Sequence, residues 1–179
     1  MAEQEKIDTD LLKQEHEDTL AGKYLTFQVD EEEYGIEIRH ITEIIGIQNI
    51  TELPDVPNFI KGVINLRGKV IPVVDVRLRL GIEEHDYNER TSIIVVNINN
   101  MTVGLIVDTV SEVLDIPESE LEPPVKLNKG VASRFIQAFG KVGEEVKILL
   151  NTKKLLFDEE FEQITEQVCS YRGCFKTEN

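Results

Sequence analysis

The chain reads nearly the same passage twice, and that duplication constrains its fold more than any other feature. Tyr34-Gly35 faces Val103-Gly104 at an offset of 69 residues, Gly68-Lys69-Val70 faces Gly140-Lys141-Val142 at 72, and Asp75 ahead of VRLRL faces Asn151 ahead of TKKLL at 76. A slowly drifting offset is what loop insertions produce. Asp and Asn both cap helix N-termini well, so the last match is physical as well as literal.

Each copy predicts about five short strands and one short helix. YLTFQVDEEEYGIEI reads as strand, acidic turn, strand, with Tyr24, Thr26 and Gln28 alternating against Leu25, Phe27 and Val29. RHITEIIGIQNITEL is β-branched and fits helix or strand. Phe59 to Leu66 and Val70 to Val74 read as strands around an Arg67-Gly68-Lys69 turn, where Gly68 supplies a backbone conformation open mainly to glycine. Asp75 caps VRLRL and Gly81 stops it. TSIIVVNINNMTVGLIV opens the second copy as strand, Asn-rich turn, strand, and FIQAFGKVGEEVKILLNTKKLL closes it. A small antiparallel unit protects its edges best by curling closed, and two such units gain by burying apolar surface against each other. The expected fold is all-β: two pseudo-equivalent small barrels over residues 23–158, divided near 85–90, with short helices. Residues 1–22 are expected to be an acidic tail or short helix, and 159–179 a C-terminal helix and tail.

Charge narrows the partners. A formal net charge of -15 repels phosphate backbones and anionic lipid, so nucleic acid is not an expected partner. Apolar runs such as SIIVVNI are far too short to span a bilayer, and the first residues lack the apolar core of a signal peptide, so no direct membrane insertion and a cytoplasmic location are expected. Cys169 and Cys174 enclose four residues, which fits neither a CxxC redox pair nor a usual zinc half-site. They read as part of a plain tail, with a local disulfide or redox role as the alternative.

No catalytic, cofactor or metal site is expected. His16, His40 and His85 fall in polar surroundings outside any metal spacing, and Ser92, Ser111, Ser119 and Ser133 sit in no nucleophile-elbow motif. DEEEYG lacks the alternating ligands of a calcium loop and reads as a solvated hairpin turn. No glycine-rich phosphate cradle is present. Arg67 is less plain. A turn arginine between strands that want burial is either a solvated or salt-bridged residue or the anchor of a protein interface. Glu43, set among Ile41, Ile44 and Ile45, is either a polar-face residue or the charged rim of an apolar contact patch. Val110 and Val113 take the corresponding place in the second copy, where a core role is the alternative.

FQVDEEEYGIEI, ITEII, VPNFIKGVINLRGKVIPVVDVR, DYNERTSIIVV, VGLIVDTVSEVL and ILLNTKKLL together resemble the CheW-like family of chemotaxis coupling proteins, over residues 22 to 158. The resemblance implies two five-stranded, SH3-like β-barrels packed around a hydrophobic seam, no enzyme activity and no cofactor. The partners it implies are the regulatory domain of the histidine kinase CheA, the cytoplasmic tip of methyl-accepting chemotaxis receptors, and other CheW-like domains in receptor arrays at the inner face of the membrane. Carried onto this sequence, the receptor-contact or coupling residues are Ile41, Glu43, Gly62, Arg67, Gly68, Gly104, Val110 and Val113. Arg67 and Glu43 would be its polar members, or a pair that holds its shape. The alternatives are a scaffold of the same fold in a non-chemotactic kinase pathway, or the CheW-like part of a larger CheV-type protein.

Overall fold

The computed structural model of the chain describes residues 19–124 and 134–156. The expected terminal helices, both cysteines, His16 and Ser133 lie outside the described residues.

Alternating apolar residues and tight turns build two hairpins in equivalent places. The first is β1 (Lys23–Val29) with β2 (Glu32–Glu37), and the second is β6 (Ser92–Ile98) with β7 (Met101–Val107). Asp30 in the first turn and Asn99 and Asn100 in the second hold positive φ, which short polar side chains tolerate best. The ambiguous ITEII stretch is a strand, β3 (Ile41–Gly46), whose counterpart is β8 (Thr109–Asp115). A second pair of hairpins follows: β4 (Ile60–Leu66) with β5 (Lys69–Asp75), and, after the two-residue β9 (Leu121–Glu122), β10 (Ile136–Val142) with β11 (Glu145–Leu150). Each ends in a short helix, α1 (Val76–Arg79) or α2 (Thr152–Leu156). Asp75 Oδ1 accepts from the Arg77 amide at 2.9 Å, and Asn151 Oδ1 accepts from the Lys154 amide at 3.0 Å. Both residues named as caps from the sequence therefore hold the first turn of a helix.

The strands form two mixed sheets, a large one ordered β8-β1-β2-β11-β10-β9 and a small one ordered β3-β6-β7-β5-β4. The expectation of two closed, five-stranded, SH3-like barrels is not met, because neither sheet closes. In the large sheet β8 and β9 are the edges, with no further strand beyond them among the described residues, and β9 pairs with β10 over only two residues. In the small sheet β3 and β4 stand at opposite edges. The free side of β4 is taken instead by the loop after β3, through one isolated bridge in which Thr51 and Val63 exchange backbone hydrogen bonds of 2.9 Å. With that position filled, β3, paired on one side with β6, meets no second strand among the described residues, and the sheet stays curled but open.

The copies also exchange strands. The first hairpin joins the large sheet through a parallel contact between β2 and β11, and the second joins the small sheet through a parallel contact between β7 and β5. The two junctions match residue for residue. Gly35 lies opposite Leu149, and Gly104 opposite Val73. A Cβ on Gly35 would meet Leu149 at 2.8 Å, and one on Gly104 would meet Val73 at 2.9 Å and Ile93 at 2.7 Å. Close sheet crossing demands a missing side chain at both places.

Apolar burial follows this layout. A central core takes Leu25, Phe27 and Ile36 from the large sheet, Ile94, Val96 and Leu105 from the small one, and Leu80 and Leu155 from the helix ends. A second cluster around Ile64, Ile71 and Ile93 fills the curl of the small sheet, and a third around Tyr24, Ile116 and Leu149 that of the large one.

Candidate functional site

Between β4 and β5 the chain reverses on two residues, Arg67 at φ +51° and Gly68 at φ +84°. Two successive positive φ values give the turn whose twist matches that of the flanking strands. Asn65 Oδ1 accepts the Gly68 amide at 2.9 Å and locks it. An arginine in this left-handed conformation carries roughly 1–2 kcal/mol of strain that a glycine would not. What Arg67 gains is a forked contact with Glu43 on β3, Nη1 to Oε1 at 3.0 Å and Nη2 to Oε2 at 2.6 Å. The pair ties together the two edges of the small sheet that no ladder joins. Its arginine side chain is 75% exposed, and exposed pairs contribute about 0.2–1 kcal/mol. Strain and ion pair nearly cancel, so the pair does little for overall stability and instead sets the shape of this surface.

Beside it, Ile41 is half-buried against the central core, while Ile44 is 44% exposed. The same arrangement recurs on β8. Val110 is half-buried against the central core, and Val113 is 50% exposed. Ile41 and Val110, like Ile44 and Val113, are equivalent under the first repeat offset. Each open sheet thus presents one edge strand with a seated apolar residue and a bare one. Glu112, the counterpart of Glu43, makes no ion pair among the described residues, since Gly143 stands where its arginine would be. Ile44 was absent from the sequence-derived contact set. The repeat offset that links it to Val113 was the signal that would have placed it there.

The remaining sequence-derived residues divide. Gly68 is exposed, with open space around it. Gly62 and Gly104 are buried, and both face backbone or core side chains rather than solvent. The structure therefore brings Glu43, Arg67 and Gly68 together, sets Ile41 and Val110 on one core from two sheets, and keeps the two buried glycines beneath the surface.

Charged contacts brace the sheets against each other. Arg77, nearly buried, donates from Nε to Asp108 at 3.1 Å, from Nη2 to Asp30 at 3.3 Å and from Nη1 to the Glu83 carbonyl at 3.2 Å. Asp30 lies in the first hairpin turn and Asp108 precedes β8. Burial pushes the Asp75 carboxyl up from its ordinary range, and the Tyr87 hydroxyl, donating at 2.7 Å, holds it back. Glu37, with the His40 ring at 3.6 Å, the Gln137 amide at 3.1 Å and Arg39 beside it, is lowered to about 2 against an opposing effect of burial. An open polar cavity of about 340 Å³ lies beside β4 and the loop after β3, lined by Glu52, Lys61, Glu84 and Tyr87 among others. Among the described residues no three His, Cys, Asp or Glu side chains stand together as a metal would need.

Relatives agree with this architecture. Residues 23–160 match the family model described as the CheW-like domain. Over 143 residues the chain is 36% identical to "Chemotaxis protein CheW" of Klebsiella aerogenes, covering 80% of this chain and 86% of that one. It is 32% identical over 150 residues to "Chemotaxis protein CheW" of Thermotoga maritima, covering 83% and 91%. The crystal structure of the scaffolding protein TtCheW from Thermoanaerobacter tengcongensis superimposes with a TM-score of 0.72 at 35% identity, covering 78% of this chain and 94% of that one. With the repeated strands, the paired sheets and the long sequence match all in place, the chain belongs to the family of CheW-like domains.

Proposed function

We infer that the chain is a non-catalytic adaptor that links chemoreceptors to the histidine kinase CheA in chemotaxis signalling. Proteins of this family generally bind CheA and methyl-accepting chemotaxis receptors, and they do so as scaffolds without bond chemistry. Family membership over residues 23–160 is the observation that carries the reading.

On this chain, the receptor site comprises Ile41, Glu43, Arg67, Gly68, Val110 and Val113, with Ile44 added. It takes the helical cytoplasmic tip of a receptor along the boundary between the sheets, as apolar grooves take amphipathic helices. β-branched residues on both edges are stiff, which lowers the entropy cost of binding. The Arg67–Glu43 pair sets orientation more than affinity. Gly62 and Gly104 serve the same site indirectly, by letting the strands beneath it pack. Another face meets the regulatory domain of CheA, and CheW-like neighbours complete arrays at the inner face of the membrane. Among the described residues no helix is long and apolar enough to cross a membrane, so receptors supply that location. What supports this assignment is the exposure of Ile44, on the strand that carries Glu43, and of Val113 at the equivalent place on β8, together with a charge pair that adds little to stability.

Reconstitution with receptor and kinase tests it. Kinase activity should depend on receptor only when the chain is present, and Arg67→Ala should weaken that dependence while the protein stays folded. Absence of any complex with the kinase regulatory domain at roughly tens of micromolar, where adaptor contacts of standard size form, would sink the reading.

A further inference from the structure

The two short helices meet at a point that the repeat itself defines. Asp75 and Asn151 are equivalent, and so are Phe59 and Phe135: the Asp75 amide donates to the Phe59 carbonyl at 2.7 Å, and the Asn151 amide to the Phe135 carbonyl at 2.7 Å. The same offset makes Arg79 the counterpart of Leu155. Arg79 is 2% exposed. Its Nε donates to the carbonyl of Leu155, its own counterpart, at 2.8 Å. Its guanidinium carbon lies 4.3 Å from the centre of the Phe59 ring and 4.7 Å from that of Phe135. A side chain held between twin rings, and bonded to its own twin, sits where equivalent parts of the two copies meet.

A residue at such a junction faces its own counterpart. Two arginines there would bring like charges together away from water, so the copies must differ at this one place. Leucine at both positions would satisfy burial alone, as apolar residues often do where whole buried ion pairs are replaced. Arginine adds direction. A hydrogen bond and two ring faces fix how one helix sits on the other, whereas apolar packing leaves rotation freer. Each helix follows directly from a strand, α1 from β5 of the small sheet and α2 from β11 of the large sheet, and each sheet carries one exposed edge strand.

We propose that Arg79 is a positioning residue for coupling: it fixes the angle between the two sheets, and thereby the spacing of the β3 and β8 edges that together form the receptor site, so that receptor binding there is felt at the kinase-facing surface. The coupling half of this rests on the adaptor reading; the angular half does not. The test uses the full chain with Cys169 and Cys174 replaced by serine and spin labels at Asn97→Cys and Glu112→Cys, exposed positions on different sheets. In the Arg79→Met variant the distance distribution between labels should broaden or shift. An unchanged distribution overturns the proposal whatever the chain's function. In reconstitution, Arg79→Met should keep its separate affinities for receptor fragment and kinase regulatory domain within about threefold, while receptor-dependent kinase activation falls about tenfold, a typical allosteric coupling factor. Activation equal to wild type, or lost only in proportion to one affinity, overturns it. If wild type fails to couple, the adaptor reading falls and the label distances still decide the angular claim. Should Arg79→Met fail to fold, Phe135→Leu removes one ring and keeps the arginine's bond; a milder form of the same split is expected, and wild-type distances and coupling in that variant overturn the proposal.

Discussion

Gly62 separates a fold role from a binding role more sharply than any other residue of the expected contact set. Its φ is +141°, and a Cβ there would stand 2.0 Å from the Thr51 carbonyl oxygen and 2.7 Å from its carbon. Neither atom is the end of a flexible side chain. Both belong to the bridge between Thr51 and Val63 that covers the free side of β4. Gly62→Ala must therefore break that bridge. An unfavourable φ costs roughly 1–3 kcal/mol, and each of the two bridge hydrogen bonds about 1 kcal/mol net. Added together, these terms give an expected loss of about 3–5 kcal/mol, at the top of the range for single substitutions. Gly68→Ala is the control: its φ is +84° but nothing lies within 4 Å, so only conformational strain of about 1–2 kcal/mol applies. In urea unfolding, with a slope near 2 kcal/mol per molar, the midpoint should fall by roughly 1.5–2.5 M for Gly62→Ala and by roughly 0.5–1 M for Gly68→Ala. If Gly62→Ala unfolded with a wild-type midpoint yet lost receptor binding, the steric reasoning would be refuted and the residue would be a direct contact.

Three further outcomes are expected. Tyr87→Phe leaves the buried Asp75 carboxylate without its hydroxyl donor and should cost about 1.5–3 kcal/mol at pH 7 in urea unfolding. Because the folded Asp75 carboxyl is raised, its contribution is greatest below the ordinary carboxyl range and declines above it, so the variant's deficit should shrink as pH is lowered toward 4. Glu37→Gln should cost on the order of 1–2 kcal/mol at pH 7, discounted because the pair is partly open to solvent. Glu37 is lowered to about 2 in the fold, so that difference from wild type should be complete above the ordinary value near 4.5 and vanish as pH falls toward 2; a gap persisting at the acid end would rule out the linkage. Arg67→Gly should change stability by less than about 1 kcal/mol, since relief of left-handed strain offsets the lost pair, and a larger loss in thermal unfolding would make the pair a structural bond.

Much of this organisation was legible because it is local. Alternation revealed β1, β2, β6 and β7, and cap chemistry at Asp75 and Asn151 marked both helices. The repeat offset also tied Val110 and Val113 to β3. The literal match of Gly68-Lys69-Val70 to Gly140-Lys141-Val142 misled, however. Gly140 lies inside β10, and the residue at the Arg67 position is Gly143, at φ +62°. The physical signature of that turn is a positive φ rather than a shared tripeptide. Closure was misjudged for a different reason. Whether a curled sheet seals depends on what occupies its last edge, and the occupant, Thr51, lies in a loop whose residues show no strand alternation. The exchange of hairpins was equally hidden, because the parallel contacts of Gly35 with Leu149 and Gly104 with Val73 join residues far apart in sequence. The two glycines were visible as a repeated pair, but only their neighbours explain why no side chain is allowed.

The exchange of strands bears on what such a molecule can do as an adaptor. Had each copy formed its own closed unit, the two would meet only across their seam, and a pull on one partner could be absorbed by sliding there. Instead each sheet contains a hairpin from the other copy. Separating the sheets would leave the chain crossing between them at several places and strip the central core shared by Phe27, Ile36, Val96 and Leu105. Such a body should unfold as one cooperative unit, even though its sequence is visibly double. The freedom that the proposal invokes is a small change of angle between sheets, and the contacts best placed to limit it are the Arg77–Asp30–Asp108 brace and Arg79 between its two rings. Stiff sheets with a restrained angle between them are the mechanical properties that the proposed coupling through Arg79 would require.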